Sequence, residues 1–332
     1  MAAAALASHK RPAPEEASPV EAGKNKRPRY QLEDIDDYEM LEEIGEGVFG
    51  VVAKARDRRT REIVAVKWFR GDGEDRATVM LPAVMIEAGC LAACRGHPGV
   101  VQLRSVATDE ATGDLYIVME LVAGPSLRSH LTTRRPFSED ETRDSMRQLL
   151  RVAEKLHAKG MIHRNINPDN ILVGPDGALK VCGFGCTTPE KCVWKLCPEK
   201  PAWTLQYCAP EQLIGFGCYG PKADVWALGC VMAELLTGEP LLTATTEDEM
   251  IEQMEDVHDE FDNMGVEEAF EEIDLSLAGR EVLAGLLAFD SDERLTAADA
   301  LKHRWFTEVD VEAKPPAAVE EESLCPCSQN HS

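Results

Sequence analysis

The chain is predicted to be an α+β protein of two lobes: a small, mostly antiparallel β lobe carrying one helix, then a larger, mainly helical lobe. Three observations predict it. Its 332 residues are enough for about two domains or one large bilobal one. From Tyr38 to about Glu120, short alternating or β-branched runs dominate, with one helical segment among them. After Gly124 the apolar spacing turns helical.

The elements follow in order. Residues 1–30 are rich in Ala, Pro, Lys and Glu, lack hydrophobic periodicity and are expected to form a disordered basic tail. Order is expected from near Tyr38. Strands are expected at Tyr38–Ile44, Val51–Arg56, Ile63–Phe69, Val100–Val106 and Leu115–Glu120, with a helix at about Thr78–Cys94. In the second lobe Ser138 and Glu141 form a capping box, Met146, Leu149, Leu150, Ala153 and Leu156 make a helical stripe, and Gly160 stops it. The segment from about Asp224 to Leu236 is apolar on all sides, so it is expected to be a buried helix ending at Thr237-Gly238. Further helices are expected at Glu247–Phe261, Leu277–Phe289 and Ala297–His303, with an acidic, frayed tail over 309–332.

Composition narrows the function classes. With 44% hydrophobic and 28% charged residues, the chain has the make-up of a soluble globular protein. No apolar run approaches the ~18–20 residues of a membrane helix, and Met1–Pro12 lacks a secretory signature, so a membrane is excluded and an intracellular address expected. The net charge is −24, yet residues 1–30 carry six basic against three acidic side chains, which leaves −27 on the rest. Such a body repels phosphate backbones, which argues against nucleic acid as a ligand. The 11 cysteines include no paired C-x-x-C spacing, and Cys182, Cys186, Cys192 and Cys197 are expected to be reduced thiols.

The first strand pair carries Gly45-Glu46-Gly47-Val48-Phe49-Gly50-Val51-Val52. Glycines at this spacing let backbone N–H groups approach phosphates, and dinucleotide sites share the spacing. Here the loop lies between two strands, and Val64-Ala65-Val66-Lys67 follows on the next one. Glu87 lies in the intervening helix. His163-Arg164-Asn165-Ile166-Asn167-Pro168-Asp169-Asn170, Gly183-Phe184-Gly185, Ala209-Pro210-Glu211, Asp224-Val225-Trp226-Ala227-Leu228-Gly229 and Arg294 come after it in order.

Together these motifs resemble the eukaryotic protein kinase family, over about Tyr38 to Phe306, with an N-lobe over 38–122 and a C-lobe over 123–306. Within it, Trp203-Thr204-Leu205-Gln206-Tyr207-Cys208-Ala209-Pro210-Glu211 and Leu115–Glu120 look like cyclin-dependent kinases, nearest the plant F-class cyclin-dependent-kinase-like proteins. The family's cyclin-reading helix sequence is absent, since Leu81-Pro82-Ala83-Val84-Met85-Ile86-Glu87 stands there, which puts a cyclin partner in doubt.

The resemblance implies an ATP site. Ile44, Gly45, Glu46, Gly47, Val48, Phe49 and Gly50 would cover the phosphates, Lys67 would reach them, and Glu87 would hold Lys67. Val52 and Ala65 would pack on one adenine face and Leu172 on the other. Met119 would be the gatekeeper, with backbone groups of Glu120 and Val122 bonding adenine. Leu91, Leu103, His163 and Phe184 would form the apolar column of an assembled kinase.

Three positions depart from the family. Asn165 stands where the family has the aspartate that accepts the acceptor's proton, and loss of a general base costs ~10²–10⁴ in rate. Gly183 replaces the metal-binding aspartate, leaving Asn170 as the main protein ligand, so retention of Mg²⁺ is expected to suffer. Asn167 replaces a lysine that stabilises the transferring phosphoryl group. Ground-state binding groups survive while transition-state groups are missing. The favoured expectation is a pseudokinase that binds ATP and serves protein partners as scaffold or regulator. The alternative is an active Ser/Thr kinase acting on nuclear, cell-cycle or transcription protein substrates.

Three further features carry expectations. Glu199, at the position of the family's activating phosphothreonine, can pair with Arg164 as a fixed substitute for phosphate, or be a solvated carboxylate. Lys10-Arg11 and Lys24-Asn25-Lys26-Arg27-Pro28-Arg29 match a bipartite signal for an import receptor over residues 10–29, implying the nucleus and possibly also the cytoplasm. Residues 247–274 hold 14 carboxylates and no Lys or Arg, which suits a solvated face, or a docking site for a basic partner.

Overall fold

The computed structural model describes residues 32–47, 50–69, 76–134, 136–189, 204–214, 219–265 and 273–307. Both tails, Val48, Phe49, Cys192, Cys197, Glu199 and Trp203 lie outside the described residues, with the import, phosphate-substitute and tail expectations that fall on them.

The first lobe is built from β1 (Glu33–Asp34), β2 (Tyr38–Gly47), β3 (Gly50–Asp57), β4 (Ile63–Trp68), helix α1 (Arg76–Ala93), β5 (Leu103–Thr108) and β6 (Leu115–Glu120). The strands form one sheet in the order β1-β5-β6-β4-β3-β2. Every pair is antiparallel except β1 with β5. A short strand thus already stands at Glu33–Asp34, ahead of Tyr38. This segment is charged and shows no apolar alternation. It is held by pairing of Glu33 and Asp34 with Ala107 and Thr108, and by the Tyr38 hydroxyl, which contacts Ser105 Oγ at 3.1 Å and donates to Glu33. A second correction concerns the run Val100–Val106. Its start does not join β5: Val101 N donates to Val181 O at 3.1 Å, so one apolar run serves two partners.

The second lobe contains α2 (Leu127–Thr133), α3 (Glu139–His157), β7 (Met161–Ile162), β8 (Ile171–Val173), β9 (Leu179–Val181), β10 (Thr188–Pro189), α4 (Pro210–Ile214), α5 (Lys222–Thr237), α6 (Glu247–Met264), α7 (Leu277–Leu286), α8 (Ala297–Ala300) and α9 (Arg304–Thr307). Both halves of the Ser138–Glu141 capping box are made at the start of α3. Residues 223–236 of α5 are buried without exception, and Gly238 closes the helix with φ +81°. The acidic segment supplies α6.

Two helices are shorter than their apolar pattern. α7 stops at Leu286, three residues before Phe289, because the buried Arg294 guanidinium draws the following chain inward through the carbonyls of Ala288 (2.9 Å) and Phe289 (3.2 Å). The pattern over Ala297–His303 breaks at Leu301, where Lys302 and His303 take tighter bonds to Asp299 and Ala300 and α9 begins on a new axis. One apolar core, including Leu91, Met119, Leu149, Phe184 and Trp226, runs from the first lobe into the second.

Arg294 also holds Glu211 in a two-pronged ion pair of 2.6 and 2.9 Å and donates to Lys222 O at 2.9 Å. One buried side chain thus joins the start of α4, the start of α5 and the loop after α7. Arg294→Ala leaves buried acceptors unpaired and is expected to cost about 3–5 kcal/mol of stability, read by urea unfolding. A loss below about 1 kcal/mol contradicts this role.

Candidate active site

The site lies where the sheet of the first lobe meets the short strands of the second. Gly45 of β2 faces Val52 of β3, Glu46 faces Val51 and Gly47 faces Gly50, so the described glycines of the motif stand at the adjoining ends of two paired strands. Gly50 has φ +134°, and a Cβ there would lie 1.9 Å from Trp68 O. Only glycine lets β3 start this close to β4. Ile44, on β2, is half exposed at the edge.

On β4 the register places Lys67 opposite Val52, and Lys67 Nζ lies 2.6 Å from Glu87 Oε2 of α1. Both are buried, so each charge is met by the other rather than by water. Ala65 and Met119 are buried and pair across β4 and β6, while Val52 and Leu172 are partly buried against the same core. Val52, Ala65, Met119 and Leu172, expected as adenine walls and gatekeeper, thus belong to one apolar cluster. Glu120 ends β6, where its carboxylate accepts from Gln102 N at 2.9 Å and Lys180 Nζ at 2.6 Å, fixing the segment that leads to Val122.

The loop from His163 to Asn170 hangs from Asp224 of α5. The Asp224 carboxylate accepts from His163 N and Arg164 N, both at 2.8 Å, and bonds His157 Nε2 at 2.9 Å. Burial alone would raise its pKa; the His157 hydrogen bond, the nearby imidazoles and the Arg164 N–H outweigh that and hold it below the ordinary 3.8. Burial pushes His163 below 6.5, so its imidazole is neutral. Its Nε2–H donates to Cys182 O at 3.0 Å and its Nδ1 accepts from Asn165 N at 3.3 Å. The ring packs edge-on against Phe184 at 4.6 Å between centroids. Leu91, His163 and Phe184 are fully buried and Leu103 partly so, which is the expected column.

Three asparagines occupy the reaction end. Asn167 caps the turn Pro168–Asn170: its Oδ1 accepts from Asp169 N at 3.0 Å and Asn170 N at 3.2 Å. Its Nδ2 reaches Asn165 Oδ1 at 2.9 Å, Asn165 O at 3.2 Å and Thr204 Oγ1 at 3.3 Å. Asn170 Nδ2 donates to Asn165 O at 2.9 Å. A lysine at 167 cannot accept the two backbone N–H groups. Asn167 therefore serves as a neutral strap rather than a cation.

Gly183 has φ +78°, a conformation that costs an L-residue about 1–2 kcal/mol. A Cβ there would stand 2.5 Å from Asn170 Oδ1, so the Asn170 amide fills the place where a side chain at 183 would begin. The neighbouring Cys182 supplies no charge either, since burial pushes its thiol up to about 12. Mg²⁺ needs one or two carboxylates beside the phosphates, and the site offers it one neutral amide oxygen. The residues fit a nucleotide and do not fit its metal.

The chain from Phe184 onward forms the turn Phe184–Cys186, then β10, which pairs antiparallel with β7. Thr204 returns to the loop through Asn167. Asp224 and Thr204 were not foreseen as members of the site. Both stand inside recognised motifs, but their roles arise from contacts 60 and 37 residues apart in sequence. A network at the site's edge was also unforeseen: Arg128 of α2 donates to Tyr207 Oη at 2.5 Å, and both bond the buried Glu234.

The family model for the protein kinase domain matches residues 38–306, and the chain belongs to the protein kinase family, in its cyclin-dependent-kinase-like branch. It is 40% identical over 324 residues to a putative cyclin-dependent kinase F-2 of Oryza sativa subsp. japonica, spanning 86% of this chain and 93% of that protein. It is 33% identical over 311 residues to cyclin-dependent kinase G1 of Arabidopsis thaliana (83% of this chain, 50% of that one) and 30% over 303 residues to cyclin-dependent kinase 10 of Rattus norvegicus (85% and 83%). A protein kinase domain implies the use of ATP and of protein substrates or partners. Among the described residues, no helix is long and apolar enough to cross a membrane.

The neutral His163 is itself a test of the buried column. Its neutral form stabilises the fold above pH 6.5, and that contribution is lost as pH falls through the lowered value. An NMR titration is expected to find its midpoint below 6.5 with Nε2 protonated throughout; a midpoint at or above 6.5 contradicts the burial account.

Proposed function

We propose that this chain is an ATP-binding pseudokinase, a module that holds a nucleotide in a kinase fold and acts on protein partners as scaffold or regulator. The observation that carries this is the bond from Asn167 Nδ2 to Asn165 Oδ1, made while Asn167 Oδ1 caps the next turn. Neither side chain is left as a base or a cation. Gly183 removes the carboxylate beside them. The buried Lys67–Glu87 ion pair and the burial of Ala65 and Met119 support a retained ground-state half. These losses bear on one transition state and do not multiply, yet the missing base alone accounts for a ~10²–10⁴ drop.

A second reading, an active Ser/Thr kinase, is favoured by one set of observations. The Lys67–Glu87 pair, the His163–Phe184 contact and the β10–β7 pairing form an assembled rather than a collapsed site. That assembly serves binding equally well. A cyclin is not part of the proposal: α1 presents Leu81 and Met85 to solvent, 49% and 64% exposed, where the family's cyclin-reading sequence would stand. Nuclear import rests on the basic clusters of residues 10–29.

With γ-labelled ATP and a generic protein acceptor, transfer is expected at least a hundredfold below the ~1–100 s⁻¹ of kinases, indistinguishable from Lys67→Met. An ordinary rate abolished by Lys67→Met overturns the pseudokinase reading. Separately, a reporter fused to residues 1–30 is expected to enter the nucleus, and cytoplasmic retention removes that claim.

A further inference from the structure

Resting on that reading, we infer that the site takes its nucleotide without a divalent cation, with the Asn165 side-chain amide as a direct hydrogen-bond donor to terminal phosphate oxygens. A carboxylate beside polyphosphate is tolerable only with a cation between them. Here positions 165, 167 and 183 are all neutral, so a bare phosphate meets neither the metal nor the repulsion that makes the metal necessary.

The orientation of Asn165 makes the change one of polarity rather than simple loss. Its Oδ1 accepts from Asn167 Nδ2 at 2.9 Å and its carbonyl accepts from Asn167 and Asn170, so the strap holds the oxygen end of the amide. The other end, Nδ2, has no hydrogen-bond partner among the described residues, and the residue is only partly buried. Where an aspartate would accept a hydroxyl proton, this chain presents an N–H donor that suits an anionic oxygen. The Asn170 Oδ1 stands 2.5 Å from where a Cβ at position 183 would lie, so the place where a side chain at 183 would begin is filled.

The test is calorimetric binding of a non-hydrolysable ATP analogue to the full chain, in EDTA and in excess Mg²⁺. Affinity in EDTA is expected to equal or exceed that in Mg²⁺. Tightening by Mg²⁺ of about tenfold or more overturns the inference while leaving the phosphate-transfer assay to judge the pseudokinase reading. Binding in neither condition overturns both this inference and nucleotide binding. Asn165→Asp keeps the acceptor for Asn167 but returns a carboxylate. It is expected to weaken binding in EDTA by about tenfold, with recovery on adding Mg²⁺. Asn165→Ala, which removes the donor and the acceptor of Asn167 Nδ2 without adding charge, is expected to weaken EDTA binding about fivefold without creating Mg²⁺ dependence. Unchanged EDTA affinity in both variants overturns the assignment of Asn165.

Discussion

The buried carboxylate of Asp224 is the point from which the active-site end of this molecule is suspended. It takes two backbone N–H groups from His163 and Arg164 and a third bond from His157, all at 2.8 to 2.9 Å. A buried charge is tolerated only when it is this fully bonded. Once it is, the loop that follows has little freedom. His163 is turned so that one ring nitrogen meets Cys182 O and the other meets Asn165 N, and its ring makes a T-shaped contact with Phe184. The loop, the turn after Gly183 and the core of both lobes are then positioned by one residue on a helix buried over fourteen successive residues.

On that frame the site has two chemically different halves. The half that would meet a nucleotide in its ground state holds a buried ion pair, Lys67–Glu87, the start of β3 pressed against Trp68, and the apolar side chains of Val52, Ala65, Met119 and Leu172. At the other half Asn165, Asn167 and Asn170 are neutral and hydrogen-bonded to one another. Binding that is equal in ground and transition states does not accelerate chemistry.

Much of this was legible in the sequence, for identifiable reasons. The capping box before α3 and the uniformly apolar α5 are local patterns with one structural meaning, and both formed as expected. The Lys67–Glu87 pair and the column through Leu91, His163 and Phe184 were legible through the order of family motifs, not through periodicity. What escaped was decided by distant contacts. Glu33 and Asp34 form a strand only because Ala107 and Thr108 are there to pair with them. α7 ends early because of Arg294, eight residues beyond its last turn. The sequence showed Asn167 as a missing lysine; that it is also a cap and a strap depends on Thr204 and Asn165 lying within reach.

The central claim, nucleotide held without turnover, is met most directly by phosphorus NMR of ATP mixed with a stoichiometric amount of the full chain. The account predicts three phosphate resonances displaced from those of free ATP and persisting undiminished over hours. Loss of the γ resonance, with growth of ADP and of free or protein-bound phosphate at a kinase-like rate, would contradict it.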